Sequence, residues 1–124
     1  MSEAFAYTLL QVVPQVERGE RFNAGVVLFC RRARFLEARV GLDRDRLAAL
    51  DPSADADEIE RHLKVLADVA AGTGEHAVAR LEQSERFHWL AAPSSTSVQP
   101  SAVHTGLTTD PAATIERLFT RLVS

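Results

Sequence analysis

The amino-acid sequence predicts an α+β fold: a mostly antiparallel sheet of about four strands, with helices packed on one face of the sheet. Segments rich in β-branched and aromatic residues come first in the chain, and segments with helical periodicity come later. The strands predicted at 24–31 and 35–40 are separated by only three residues, which is the spacing of an antiparallel hairpin. The 124 residues are enough for one domain, 1–124, with a core of its own.

The strands are predicted from their residue types. Residues 4–13, AFAYTLLQVV, are apolar on both faces in their second half, which is typical of a central strand. Residues 35–40, FLEARV, alternate between two faces, which indicates a half-buried strand. Residues 97–104, SVQPSAVH, read as a strand interrupted by Pro100. Because proline cannot donate to a ladder, this strand should be bulged or lie at the edge of the sheet.

The helices are predicted mainly from their ends. Residues 43–50, DRDRLAAL, form a short helix, and Asp55 with Glu58 gives the capping-box pattern that begins a longer one. Gly72 ends that helix. Residues 75–90 predict further helix, in two pieces joined near residue 84. An aspartate followed by proline at 110–111 begins the last helix.

Composition narrows the classes of function. The formal net charge of −3 gives the chain no overall attraction to nucleic acid or anionic lipid. Cys30 is the only cysteine, which excludes an intramolecular disulfide and a cysteine-based zinc site. The N-terminal segment lacks the pattern of a signal peptide, and no apolar run approaches the length of a membrane span. We therefore expect a cytoplasmic protein without a membrane association.

Two segments resemble a known family. YTLLQVVPQVERGERFNAGVVLFC near the start and SERFHWLAAPSSTSVQPSAVHTGL near the end are similar to a bacterial family called domain of unknown function 3037. The resemblance covers the whole chain, although the middle carries no recognisable motif. It implies a small bacterial cytoplasmic protein with no assigned activity, and it implies a HipA-like kinase as a partner. It brings no catalytic residue to this sequence.

The first candidate site lies between the first two strands. Arg21 carries a guanidinium that can bind a carboxylate or phosphate, and Asn23 offers a neighbouring amide. The alternative is structural, with Asn23 in a turn and Gly25 at a bulge or a close backbone approach. We favour the structural alternative, because turn chemistry alone explains the asparagine and the glycine.

The second candidate site spans the last helical turn and the extended segment after it. Arg86 lies on that turn with Trp89, which either packs in the core or remains partly exposed as an interaction anchor. The candidates in the extended segment are Ser95, Thr96, Gln99, Ser101 and His104. The imidazole of His104 could act as an acid or base near neutral pH. No orienting carboxylate is identifiable from the sequence, so a structural hydrogen bond is the favoured role. The density of polar side chains makes this segment the stronger candidate.

No catalytic or metal-binding motif appears in the sequence. There is no G-x-S-x-G elbow and no phosphate-binding loop, and the four histidines form no His-x-x-x-His pair. We therefore assign no catalytic residue, expect no metal or other cofactor, and do not favour an enzyme. One charged feature remains: six arginines lie between Arg31 and Arg46 against three acidic residues. A solvated hairpin is the favoured interpretation, with nucleic-acid contact as its alternative.

Three functions are therefore weighed. The leading one is a non-enzymatic accessory or protein-interaction domain, because the chain is compact and carries no assembled catalytic constellation. The second is a small enzyme or ligand-binding protein with a polar pocket between the Arg21–Asn23 loop and the Ser95–His104 segment. The third is nucleic-acid contact by the Arg31–Arg46 hairpin. The sequence predicts neither strand order nor oligomeric state.

Overall fold

The computed structural model describes residues 1–123, which form one antiparallel sheet with helices around it. The strands are β1 (Glu3–Val12), β2 (Phe22–Cys30), β3 (Phe35–Val40), β4 (Val98–Pro100) and β5 (His104–Thr108). The α-helices are α1 (Arg44–Leu50), α2 (Ala56–Ala71), α3 (Gln83–Leu90) and α4 (Pro111–Leu122). Short 3-10 helices lie at Val16–Arg18 and Ala77–Arg80. The predicted α+β class is confirmed.

β1 is the central strand of the sheet. The order is β3-β2-β1-β4, and β5 pairs with the same edge of β1 as β4 does. β4 and β5 therefore act as one edge strand with an interruption. Between the pairs Tyr7–His104 and Leu10–Pro100, β1 has two residues and the edge strand has three. The bulged edge strand expected at the proline is confirmed.

Helices cover both faces of the sheet. α1, α2 and α3 pack on one face, where Leu10, Val27 and Leu63 belong to the larger core. α4 packs on the other face, where Ile115 and Val26 belong to a second core. The expectation that the helices share one face is correct for α1 to α3 and wrong for α4. The physical reason lies in β2, whose consecutive buried residues present apolar side chains to both faces.

A β-bulge in β2 shifts the register between β1 and β2 near the loop that joins them. Leu10 pairs with Gly25 and Gln11 pairs with Asn23, so Ala24 is the extra residue. A Cβ atom on the glycine would lie 3.0 Å from the carbonyl oxygen of Arg39. The structure thus gives this glycine the bulge and the close backbone approach that its structural interpretation expected.

The helix ends follow the predicted signals in most places. The side chain of Asp55 accepts a hydrogen bond from the Glu58 N–H, and Gly72 closes α2 in the left-handed conformation with φ of 77°. Asp110 caps α4, with proline at the first helical position. The helical stretch predicted at 75–90 is divided at residues 81–82, two residues before the predicted joint.

Candidate functional site

A groove runs between α2 and the segment 89–98, which leads from the end of α3 into β4. Three adjoining cavities of about 320, 340 and 410 Å³ form it, and His62 lines all three. We call this feature the His62 groove. Its walls include Glu58, Arg61, His62, Val65 and Leu66 on α2 and Trp89, Pro93 and Thr96 on the other side.

One end of the His62 groove is apolar. Its floor includes the buried side chains of Leu90 and Val98. Trp89 stands at the rim with 39% of its surface exposed, and Val65 beside it is 40% exposed. The indole packs against the ring of His76, with centroids 4.9 Å apart. The structure therefore leaves the tryptophan partly exposed and supported from one side.

The other end of the His62 groove is acidic. It is lined by Asp51, Asp55 and Glu58. Asp51 accepts hydrogen bonds from the Ser53 hydroxyl at 2.7 Å and the Ser53 N–H at 3.0 Å, and these bonds hold the pKa of its carboxyl below the usual range. None of the three carboxylates has a cation within 4.0 Å in residues 1–123.

Local hydrogen bonds hold the loop that forms the outer wall. The Thr96 hydroxyl donates to the Val98 carbonyl at 2.8 Å, and its Oγ1 lies 3.0 Å from Ser94 Oγ. The Gln99 amide donates to the Thr96 carbonyl at 3.0 Å. The hydroxyls of Ser94 and Thr96 thus hold the shape of this loop.

The structure places only part of the second sequence candidate at the groove. Trp89 and Thr96 line it, and Ser95 is exposed in the same loop. Ser101 holds the edge strand to β1 instead: its N–H donates to the Leu9 carbonyl at 2.8 Å, and its Oγ accepts from the Leu9 N–H at 2.9 Å. His104 is exposed on the other face of the sheet.

Polar side chains on that other face have local partners. His104 stacks on Tyr7, with ring centroids 5.2 Å apart. Gln99 and Asn23 lie on either side of Gln11, and residues directly opposite each other in an antiparallel pair share a face. The pocket expected between the Arg21–Asn23 loop and the Ser95–His104 segment is therefore divided, because Asn23 and Gln99 lie on one face of the sheet and Thr96 lines the groove on the other.

Arg86 and Asn23 both donate hydrogen bonds to backbone carbonyls at or near helix ends. The Arg86 guanidinium donates to the Leu81 carbonyl at 2.6 Å and to the Ala70 carbonyl near the end of α2 at 3.4 Å. The Asn23 amide donates to the Leu122 carbonyl at 3.0 Å, at the end of α4. These contacts support structural roles for both side chains. Arg21 is exposed, and its Nε lies 3.4 Å from the Gly19 carbonyl.

The basic hairpin is neutralised at its base and free at its tip. Arg39 pairs with Glu116, and Arg44 pairs with Asp57 at 2.6 Å. Arg46 lies 4.0 Å from Asp43. The tip residues, by contrast, are exposed and have no carboxylate within 4.0 Å among the described side chains. They are Arg31, Arg32 and Arg34.

His62 is the central groove residue that sequence reasoning did not select. It lies on α2 beside the buried stripe of Ile59, Leu63 and Leu66 and is half-buried. The signal was its position four residues after Glu58 and four before Leu66, which puts the three side chains in one row along the helix. The groove forms only because residues 89–98 pack opposite that row.

Two negative findings hold for residues 1–123. No three His, Cys, Asp or Glu side chains there are grouped as a metal site would require. In the same residues, no helix has both the length and the apolar character needed to cross a membrane.

Comparison with known proteins gives one match. A family model described as protein of unknown function (DUF3037) matches residues 7–123. No curated protein and no solved structure matches the chain.

Proposed function

This chain belongs to the family described as protein of unknown function (DUF3037), and we propose that it is a protein-interaction domain whose contact surface is the His62 groove. The observation that carries the proposal is Trp89, which is 39% exposed at the rim of an apolar cavity of about 320 Å³. Tryptophan is enriched among the few residues that supply most of the binding energy of protein interfaces, because one side chain removes a large apolar area from water.

The chemistry of the groove supports binding more than catalysis. A nucleophilic mechanism needs a hydroxyl or thiol activated by an ordered base. The Thr96 hydroxyl donates to the Val98 carbonyl, so its proton is already engaged with a backbone acceptor. The thiol of Cys30 is buried within the sheet, on the face that α4 covers. The proposal is therefore a non-enzymatic accessory domain.

The partner in this proposal is a protein of the bacterial cytoplasm. The resemblance to the family implies a HipA-like kinase, which is accordingly the first purified partner to test. The net charge of −3 is too small for the overall electrostatic field of the protein to select a partner. In this proposal the partner is therefore recognised by the residues of the groove.

A pull-down from the native host tests the proposal. The tagged domain, its Trp89→Ala variant and its Leu107→Ala variant are compared by quantitative mass spectrometry. Leu107 is the matched control, because it is 71% exposed and lies on β5, outside the groove. We expect a protein partner whose recovery falls about tenfold or more with Trp89→Ala, as for a hot spot, and is unchanged with Leu107→Ala. A partner recovered equally with all three proteins would overturn the groove as the contact surface.

Small-ligand binding is the second candidate function. The cavity beside Trp89 has a volume of about 320 Å³, at the lower end of the range for ligand pockets, about 300–1,000 Å³. In this alternative the pull-down recovers the domain alone, and a metabolite library raises its melting temperature. Trp89→Ala abolishes that rise.

Nucleic-acid contact by the Arg31–Arg46 hairpin remains a third proposal. Its supporting observation is the exposed tip of three arginines without carboxylate partners in the described part of the chain. It predicts binding to duplex or single-stranded oligonucleotides that weakens steeply with salt and is lost in Arg32→Ala. A flat titration at low salt contradicts it.

A further inference from the structure

The carboxylates around the start of α2 differ in how they are neutralised. Asp57 and Glu60 both pair with Arg44, outside the groove. Asp51, Asp55 and Glu58 line the groove and have no such cation in residues 1–123.

Two of the groove carboxylates accept hydrogen bonds from neutral donors. Asp51 is held by the N–H and hydroxyl of Ser53, and Asp55 accepts from the Glu58 N–H at 3.1 Å. These donors are neutral, so the hydrogen bonds orient the carboxylates without cancelling the formal charge. The groove therefore presents a negative end that attracts a cation and repels phosphate groups.

The negative end and the apolar end lie a fixed distance apart. Glu58 lines the acidic cavity and Leu66 lines the apolar cavity, and both are on the same helix, α2. Both also line the third cavity, together with Arg61. Eight residues of α-helix rise by about 12 Å. An extended peptide covers about 12 Å in about four residues. His62 lies midway between the two and lines the connecting stretch.

We propose that the occupant of the His62 groove is an extended segment of a partner protein that carries a bulky apolar side chain and, about four residues away, a lysine or arginine. The apolar side chain enters the cavity beside Trp89, and the cation lies between Asp51, Asp55 and Glu58. This inference rests on the proposed function and adds the chemistry of the partner to it. Charge complementarity selects this occupant over a nucleic acid or an anionic lipid surface.

Selection of peptides from a random twelve-residue display library on the purified domain tests this inference. We expect the enriched sequences to pair a bulky apolar residue with a lysine or arginine about four positions away. A synthetic, fluorescein-labelled copy of the strongest binder is then titrated with the variants. Glu58→Gln should weaken its binding about two- to fivefold, as for one exposed ion pair, and Glu58→Lys should weaken it further. Trp89→Ala should weaken it by about tenfold or more.

Glu37→Gln is the matched control for charge. Glu37 is exposed on β3 and pairs with Leu28, which places its side chain on the sheet face opposite the groove. The control should leave the peptide affinity unchanged, and unchanged melting temperatures should show that all variants are folded.

The outcomes separate this inference from the proposed function. Binders that need Trp89 but lack a basic residue and bind Glu58→Gln normally overturn the cationic partner and leave the interaction surface standing. A selection that yields no Trp89-dependent binder overturns the peptide occupant, and the pull-down then decides the proposed function by itself. Equal weakening by Glu37→Gln also overturns the inference, because it indicates a general charge effect.

Discussion

Arg86 and Asn23 show how polar side chains are used in this molecule. Each carries donors of the kind that binds ligands, and each donates instead to backbone carbonyls at or near the end of a helix. The last carbonyls of a helix have no partner within the helix and need donors from elsewhere. Sequence alone does not separate these uses, because the Ala70 carbonyl lies 16 residues from Arg86 and the Leu122 carbonyl lies 99 residues from Asn23.

Replacing Arg86 tests the structural role at the residue scale. Arg86→Ala removes the donors to the Leu81 and Ala70 carbonyls. We expect the free energy of unfolding to fall by about 1–3 kcal/mol, as for hydrogen bonds to a charged group. Urea denaturation measures it, with the exposed Arg80→Ala as the control. A midpoint equal to that of the control contradicts the role.

Ser101 offers a second residue-scale prediction. Its Oγ accepts from the Leu9 N–H at 2.9 Å, in place of a ladder bond at the bulge. Ser101→Ala leaves that donor without its partner, so the unfolding free energy should fall by about 1–3 kcal/mol. Ser95→Ala, in the exposed loop, should change it by less than about 0.5 kcal/mol. Guanidinium denaturation of the two variants distinguishes them, and equal losses would refute the role of the bulge.

At the scale of elements, short-range signals predicted most of the boundaries. Asp55 and Asp110 mark the starts of α2 and α4 because capping is local chemistry. Pro100 marks the interrupted edge strand for the same reason. The division of the 75–90 stretch at residues 81–82 carries no such signal. It coincides with the Leu81 carbonyl, which accepts a hydrogen bond from the side chain of Arg86 five residues later.

Asn23 joins two elements, and its removal should loosen one of them. Its amide holds the Leu122 carbonyl at 3.0 Å, so Asn23→Ala should free the last turn of α4. Loss of one such bond, about 1 kcal/mol, corresponds to roughly fivefold faster opening. Amide hydrogen exchange at residues 119–123 measures this change. The matched control is Gln99→Ala on the same face, and an effect as large in that variant would count against the assignment.

At the scale of the whole molecule, long-range packing creates both the two-sided fold and the groove. The buried run in β2 from Val26 to Leu28 signals that both faces are covered, but it does not say which helix covers which. The groove depends on residues 89–98 lying against the Glu58–His62–Leu66 row of α2, and no local pattern records that contact. Trp89 and Thr96 were therefore predictable as candidates, whereas His62 was not.

Acid should destabilise the whole domain through its hydrogen-bonded carboxylates. Arg44 holds the pKa of Asp57 below its usual range, and Ser53 does the same for Asp51. A lowered pKa means that the folded state favours the charged carboxylate. The stability that these carboxylates contribute is fully present above their pKa in the unfolded chain, near 4. It is lost as the pH falls through their lower pKa in the folded chain. Unfolding midpoints measured between pH 7 and pH 2.5 should show this loss, and it should be smaller in Asp57→Asn. An equal loss in that variant would argue against the Arg44 pair.

Site-specific photo-crosslinking in living host cells tests the interaction surface most directly. A photoreactive phenylalanine analogue is placed at position 65, on the groove wall, and in a separate variant at position 37, on the other face of the sheet. Trp89 stays intact in both. We expect one discrete crosslinked protein adduct from position 65, absent from position 37 and absent when Trp89→Ala is added. Adducts of the same protein from both positions, or an adduct at 65 that persists without the tryptophan, would contradict the groove as the contact surface.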